Sequence, residues 1–313
     1  MSDYIKQYAT TASFTDDDIW IILSNKIEIS IVEKIKSIGT KLEDWDIVIN
    51  YGIKTGYNEA FIIDESTKDD LILSDPKSAE IIRPILRGRN IKRYAYDYQN
   101  EWLICFPCGF TNRFSNNKHN KEQWLKGEYS AIYNHLVKAE ERLSKERNPK
   151  AKGLYKRDDQ GDYWWELRSC KYMDDFNKRK IIYPCIMTTE PRFMFDQNGY
   201  YYTIAPGNII SGNHLMYLLA FLNSKICYFV LRKFFMGGGI EGELKTNRLL
   251  SLPIPLPDSN LESLIVTNIE LLLEEYDKNG LINESLLEKI DFLVAKAYKL
   301  SETEIKYIIN YEY

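Results

Sequence analysis

Three prolines alternate through Ser251-Leu252-Pro253-Ile254-Pro255-Leu256-Pro257. Each proline fixes its own φ and removes a backbone donor, which excludes this run from a helix interior and from a central strand. The run reads as an extended connector, and a boundary is placed after Pro257. The two sides of that boundary differ in kind. Residues 259–313 are helical on pattern, with Leu286, Leu287, Ile290, Leu293, Val294 and Ala297 on one apolar face. Ser301-Glu302-Thr303-Glu304 is a capping box opening a last helix, whose apolar side is Ile305, Ile308 and Ile309.

Before the connector the periodicity changes several times. Residues 15–38 predict a helix: Thr15 caps a first turn of Asp16, Asp17 and Asp18, Ile27, Ile31, Ile35 and Ile38 recur at helical spacing, and Gly39 stops it. From about 45 to 110, short apolar runs such as Asp46–Tyr51, Ala60–Asp64 and Glu101–Phe106 lie between turn residues, which is strand chemistry. Residues 121–150 turn helical, with Trp124, Tyr133, Leu136 and Leu143 on one face. Strands return at Lys180–Met187, Arg192–Phe195 and Tyr200–Ile204, with Asp196-Gln197-Asn198-Gly199 as a hairpin turn between the last two. His214–Phe235 reads as one helix ending at Gly237-Gly238-Gly239. The fold class is therefore α+β: a mixed or antiparallel, β-rich region with inserted helices, then a small C-terminal helical region. The chain divides into a helical lead-in (1–44), a central domain (45–257) and the C-terminal helices (258–313).

No membrane span is expected, because Asn223, Ser224, Lys225, Arg232 and Lys233 break even the most apolar stretch. The first residues lack the charged-then-apolar order of a secretion signal. Five cysteines, an odd number in a long chain, suit a reducing compartment, and a cytoplasmic location is expected. Cys105 and Cys108 have CxxC spacing, but His119 and His135 do not supply a matching second half of a zinc site.

Net charge is −4, yet it is unevenly spread. Residues 1–50 carry 5 Lys+Arg against 9 Asp+Glu, and 258–313 carry 5 against 12, which leaves 31 against 24 in the middle. Two acidic ends thus flank a basic centre, and a nucleic-acid surface needs only local positive potential. Chance asymmetry is the alternative.

Four stretches of the centre carry chemistry. Gly52 and Gly56 flank Lys54 and Thr55, so exposed amides, a lysine and a hydroxyl suit a phosphate or a base edge; a plain turn is the alternative. Residues 83–93 hold Arg83, Arg87, Arg89, Lys92 and Arg93 with no acid, followed by Tyr94, Tyr96 and Tyr98 on what reads as one strand face. Arginine grips guanine O6 and N7 with two bonds, or contacts phosphate and only positions the protein. Residues 150–171 interleave Lys150, Lys152, Lys156, Arg157, Arg168 and Lys171 with Tyr155, Tyr163, Trp164 and Trp165. A tryptophan there would wedge beside a base step; anchoring the loop to the core is the alternative. Lys245-Thr246-Asn247-Arg248, just before the connector, is either a backbone contact or a simple linker.

Six segments in sequence carry a resemblance. They are Tyr51–Asp64, Ile82–Tyr94, Lys180–Pro184 with Pro191-Arg192-Phe193, Leu219–Ser224, Leu252–Pro255, and Ile290–Ile305. In this order, over about residues 18 to 310, they resemble the TaqI-like C-terminal specificity domain of type IIG restriction–modification enzymes. The resemblance implies a target-recognition domain that binds double-stranded DNA and works with a methyltransferase or nuclease domain or subunit. The side chains then placed at DNA are Lys54, Thr55, Tyr57, Asn58, Arg87, Arg89, Asn90, Arg93, Arg157, Trp165, Arg168 and Arg192. It also implies S-adenosylmethionine and Mg²⁺ for the associated catalytic domains, and no cofactor in this chain. Indeed no Gly-rich strand–helix turn and no Asn/Asp-Pro-Pro-Tyr/Phe loop occurs, and Glu243-Leu244-Lys245 lacks a partner acid for a nuclease. Cys185 and the three histidines form no nucleophile–base pattern. The competing readings are a protein-interaction scaffold and a self-sufficient methyltransferase or nuclease.

Overall fold

The computed structural model describes residues 25–115, 120–146, 152–236 and 242–311. The expected Thr15 cap, Lys150, His119 and the glycines at 237–239 lie outside them. The strands are β1 (Thr40–Lys41), β2 (Ile47–Tyr51), β3 (Ile62–Asp64), β4 (Ile82–Leu86), β5 (Glu101–Ile104), β6 (Lys180–Pro184), β7 (Met194–Asp196), β8 (Tyr202–Thr203), β9 (Gly207–Gly212) and β10 (Pro253–Ile254). A central antiparallel sheet has the order β2-β9-β6-β7. A second has the order β3-β5-β4-β8, antiparallel except for the parallel pair β4–β8. The proline connector contributes β10, which pairs with β1 at a small two-stranded edge.

Side chains on a strand alternate between faces. In the central sheet that alternation separates two cores. Ile181, Tyr183 and Ile210 enter one, with the helix Lys26–Ile38, the helices of 215–235 and the three C-terminal helices. Ile182, Ile209 and Met194 enter the other, with the second sheet and the helices Lys121–Glu128 and Ser130–Glu146.

Helix ends follow local chemistry. Asn25 caps the helix Lys26–Ile38 by accepting from Glu28 N at 2.9 Å, and Gly39 N donates to Ile35 O at its end. The expected single helix from His214 is two, Leu215–Asn223 and Lys225–Val230, continued by a π-helical turn at Leu231–Phe235 and bent by 61°. Ser224 makes the break: its hydroxyl donates to Phe221 O at 2.7 Å and accepts from Cys227 N at 3.0 Å. The apolar pattern runs through the break because both halves are buried. Among the described residues, no single helix is long and apolar enough to cross a membrane.

Two further expectations are corrected. The turn at 197–199 does not close a hairpin, because β7 pairs with β6 and β8 pairs with β4. Asp196 ends β7 by accepting from Tyr200 N (3.0 Å), Tyr201 N (2.8 Å) and the buried Lys180 Nζ (2.6 Å), and the chain then crosses to the second sheet. Nor do Tyr94, Tyr96 and Tyr98 share a strand face. Tyr94 has φ 60° and enters the first core, while Tyr96 and Tyr98 pack on the second.

The capping box at Ser301 is present and does more than cap. Glu304 accepts from Ser301 N at 2.6 Å, and also from Ser30 Oγ and Lys34 Nζ of the first helix, both at 2.6 Å. Burial pulls its carboxyl upward, but Lys34, Ser30 and Ser301 together outweigh that and hold it at about 2, against an ordinary 4.5. A depressed carboxyl stabilises the fold above the ordinary value, and that stabilisation is lost as pH falls through the folded one. Urea denaturation at pH 6 and pH 3 should therefore show a loss on the order of 2 kcal/mol that is absent in Glu304→Gln. Equal losses in both proteins would contradict this role.

Candidate nucleic-acid interface

Strands β2, β9 and β6 end together at Tyr51, Asn208 and Pro184. Beyond that end the chain of β2 crosses very close to the turn before β9. Gly52 N donates to Gly207 O at 2.7 Å, and Ile53 N to Thr203 O at 2.9 Å. A Cβ on Gly52 would lie 2.5 Å from the Ile204 carbonyl carbon, so a larger residue would force the two segments apart. Gly56 serves differently: its φ of 67° is left-handed.

Between these glycines the expected residues separate. Lys54 is exposed, whereas Thr55 is 2% exposed. Thr55 Oγ1 donates to Asn58 Oδ1 at 2.6 Å and accepts from Tyr57 N at 3.1 Å, so it ties the loop. Asn58 is exposed, and Tyr57 is half-buried on the second core.

The loop rests on Arg157, which is itself 3% exposed. Its guanidinium donates to Thr55 O at 2.8 Å, to Leu154 O at 3.1 Å, and to the carbonyls of Trp164 and Glu166. It also stacks 4.6 Å from the Phe61 ring. Burial lowers its pKa to about 10, which leaves it charged at neutral pH. Trp165 is likewise inside: Nε1 donates to Thr111 Oγ1 at 2.8 Å and the ring stacks on Tyr163. Arg157 and Trp165 thus brace the stretch from the core side. Arg168, 58% exposed, lies 3.0 Å from Asp159, whose Cβ approaches Gly56.

The arginines of 83–93 divide in the same way. Arg83 is bonded to the Ile82 and Glu80 carbonyls. Arg87 pairs with Glu101 at 2.6 Å, and Arg89 is 3.7 Å from the same carboxylate with 68% of its side chain exposed. Asn90 is buried and accepts from Arg87 N, closing the turn. That turn meets the same sheet end, since a Cβ on Gly88 would lie 3.0 Å from Pro184 Cβ. Arg93 points away, to Asn223 O at 2.8 Å and Asp291 at 3.3 Å, where it joins the C-terminal helices. Arg192 is half-buried and donates to Ile186 O.

Three further residues stand at this end. Tyr51 is 56% exposed; Ile186 is exposed and forms a single bridge with Glu243; Asn208 donates to Cys185 Sγ at 3.1 Å. Sequence reasoning named Tyr51 only as a strand end and within a matched segment, and it did not single out the other two. The turn composition Pro206-Gly207 was the available signal. Lys245 follows Glu243 and is 52% exposed. Burial pushes the Cys185 thiol up, which does not favour a thiolate nucleophile.

Among the described residues no group of three metal-ligating side chains gathers at this end, and Glu243 lies 4.0 Å from Lys245. The group Cys108, Asp162 and Glu166 brings ligand atoms close together, but Glu166 already accepts from Gly109 N, Thr111 N and Asp162 N. Burial raises the Cys108 thiol as well, and a neutral thiol is a poor partner for a hard cation. The Gly52–Gly56 loop enters only a four-residue helix, Asn58–Phe61, so it is not a strand–helix turn of the kind that holds S-adenosylmethionine.

Comparison with known proteins decides the family. The TaqI-like C-terminal specificity domain matches residues 83–254, more than half of the chain. The chain belongs to this family. No curated protein sequence matches this chain. Its fold is similar to part of the type IIL restriction–modification enzyme MmeI, solved in complex with DNA, with a TM-score of 0.54 and 13% identity over 87% of this chain and 36% of that one. The type IIG restriction endonuclease BpuSI gives 0.49 and 13% over 87% of this chain and 32% of that one. The chain thus spans about a third of the length of these enzymes. At this identity the likeness to MmeI is one of fold.

The geometry separates bracing from exposed cations, and stability should do the same. Arg157→Met leaves four carbonyls without their donor and should cost about 3 kcal/mol in urea denaturation. Arg168→Ala should stay within about 0.5 kcal/mol. Similar values for the two would contradict the assignment.

Proposed function

We propose that this specificity domain reads a short duplex DNA target for a type II or IIG restriction–modification enzyme, and positions it for an adenine-N6 methyltransferase or endonuclease located elsewhere. S-adenosylmethionine and Mg²⁺ then belong to that catalytic part. The observation that carries the reading is the convergence, at one end of the central sheet, of the Gly52–Gly56 loop with exposed Lys54, Arg89 and Arg168. Family membership supports it independently. These cations supply phosphate contacts and salt dependence, while Asn58, Tyr51 and Arg89 are the exposed groups suited to base edges. Thr55, Asn90, Arg157 and Trp165 contribute by holding the loops, not by touching DNA.

Selection from random duplex DNA, with the catalytic part added in trans, should return one short motif. On the selected duplex, Lys54→Ala and Arg168→Ala should each weaken binding roughly tenfold and reduce the salt slope by about one. Arg89→Ala should do so too, or should relax one base position by about 1–3 kcal/mol. No enrichment, or variants that bind like the parent, would sink the proposal.

A further inference from the structure

The other end of the central sheet is chemically opposite. Beside Asp196 and Asn213 opens a groove of about 800 Å³. One wall is a face of the helix Ser259–Asn279, which brings Glu262, Glu270, Glu274 and Asp277 to the lining. Glu262 is engaged by His214 at 2.5 Å, and Glu274 lies 3.8 Å from Lys278. Glu270 and Asp277 are exposed and have no ion-pair partner among the described residues. The rest of the lining is rich in tyrosine. The rings of Tyr96 and Tyr200 each stand 5.0 Å from Tyr201, and Tyr276 of the helix donates to Tyr96 O at 3.0 Å. Arg179 is the single Lys or Arg of the lining.

Carboxylates and tyrosine rings lining one groove select for one chemistry. A guanidinium pairs with a carboxylate through its planar fork and stacks on an aromatic ring, whereas an ammonium does only the first, as a point charge. Phosphate is repelled by the same carboxylates, so the groove is not an extension of the DNA surface. We infer that it docks an arginine-bearing segment of a protein partner. This stands or falls without reference to DNA binding.

The test uses the full chain and a fluorescein-labelled hexapeptide, Ala-Arg-Ala-Ala-Arg-Ala, followed by anisotropy at about 0.1 M salt, where bulk charge is largely screened. Its lysine and citrulline counterparts are titrated beside it. The double variant Glu270→Lys with Asp277→Lys is compared with Glu284→Lys and Glu288→Lys, which makes the same charge change on exposed positions outside the groove. The arginine peptide should bind the parent, the lysine peptide should bind several-fold more weakly, and the citrulline peptide should not bind. The groove variant should lose roughly tenfold and the control variant less than about twofold, with the melting temperatures of both variants near that of the parent. Absence of arginine-peptide binding would overturn the inference. So would equal binding of the lysine peptide, or equal losses in the two variants, since both would mean attraction to bulk charge alone.

Discussion

The inner strands of the central sheet, β6 and β9, are antiparallel yet buried on both faces. Antiparallel sheets commonly keep one face in water, and their strands then alternate apolar with polar residues. Here all five residues of β6 are buried, Lys180 included. That single constraint sets much of the rest. A lysine with no water must find acceptors, and Asp196, Phe176 O and Lys178 O supply them. With both faces of these inner strands covered by the two cores, they offer the outside only their ends, while the edge strand β2 keeps Val48 exposed. One end carries glycine-flanked and basic loops, and the other opens on carboxylates and tyrosines. The two ends of these strands therefore differ in the charge they present.

The basic end is held by a cation that faces inward. Arg157 is satisfied by backbone carbonyls, and among the described residues no carboxylate pairs with it directly, so its charge is hydrogen-bonded but not neutralised at contact. It sits immediately beneath the Gly52–Gly56 loop through Thr55 O. In a poorly screened interior such a charge reaches the surface above it. Arg157 thus fixes the loop and adds positive potential there without touching anything outside. Glu101 acts in the opposite sense on Arg87 and Arg89, holding the first at 2.6 Å and leaving the second mostly exposed.

Local signals were legible in the sequence, and long-range ones were not. The capping box at Ser301, the stop at Gly39 and the strand at 47–51 depend on neighbours a few residues away, and they stand where periodicity placed them. The proline connector is extended as expected, though its pairing with β1 lies more than two hundred residues off. The turn at 196–199 was visible, but the partners of β7 and β8 are set by the second sheet. Ser224 breaks a helix whose apolar pattern continues unchanged. The candidate site divides on the same ground. Basic residues clustered in the sequence as the charge map suggested, yet Arg157 and Arg168, eleven apart, have opposite fates. Burial is a property of the fold, and no spacing rule distinguishes a guanidinium under a loop from one upon it. Asp64 shows a missed local signal: it caps the helix Glu65–Ser74 by accepting from Thr67 N at 2.8 Å, and an Asp before that run was readable.

The central claim is that DNA is read at one end of the central sheet. Amide hydrogen exchange with and without a bound duplex tests it most directly. The account predicts slowed exchange in the Gly52–Asn58 loop, around Arg89, in 158–171 and in 185–192, with the helix Ser259–Asn279 unchanged. Protection centred on that acidic helix, or none at the Tyr51–Asn208–Pro184 end under saturating DNA, would contradict it.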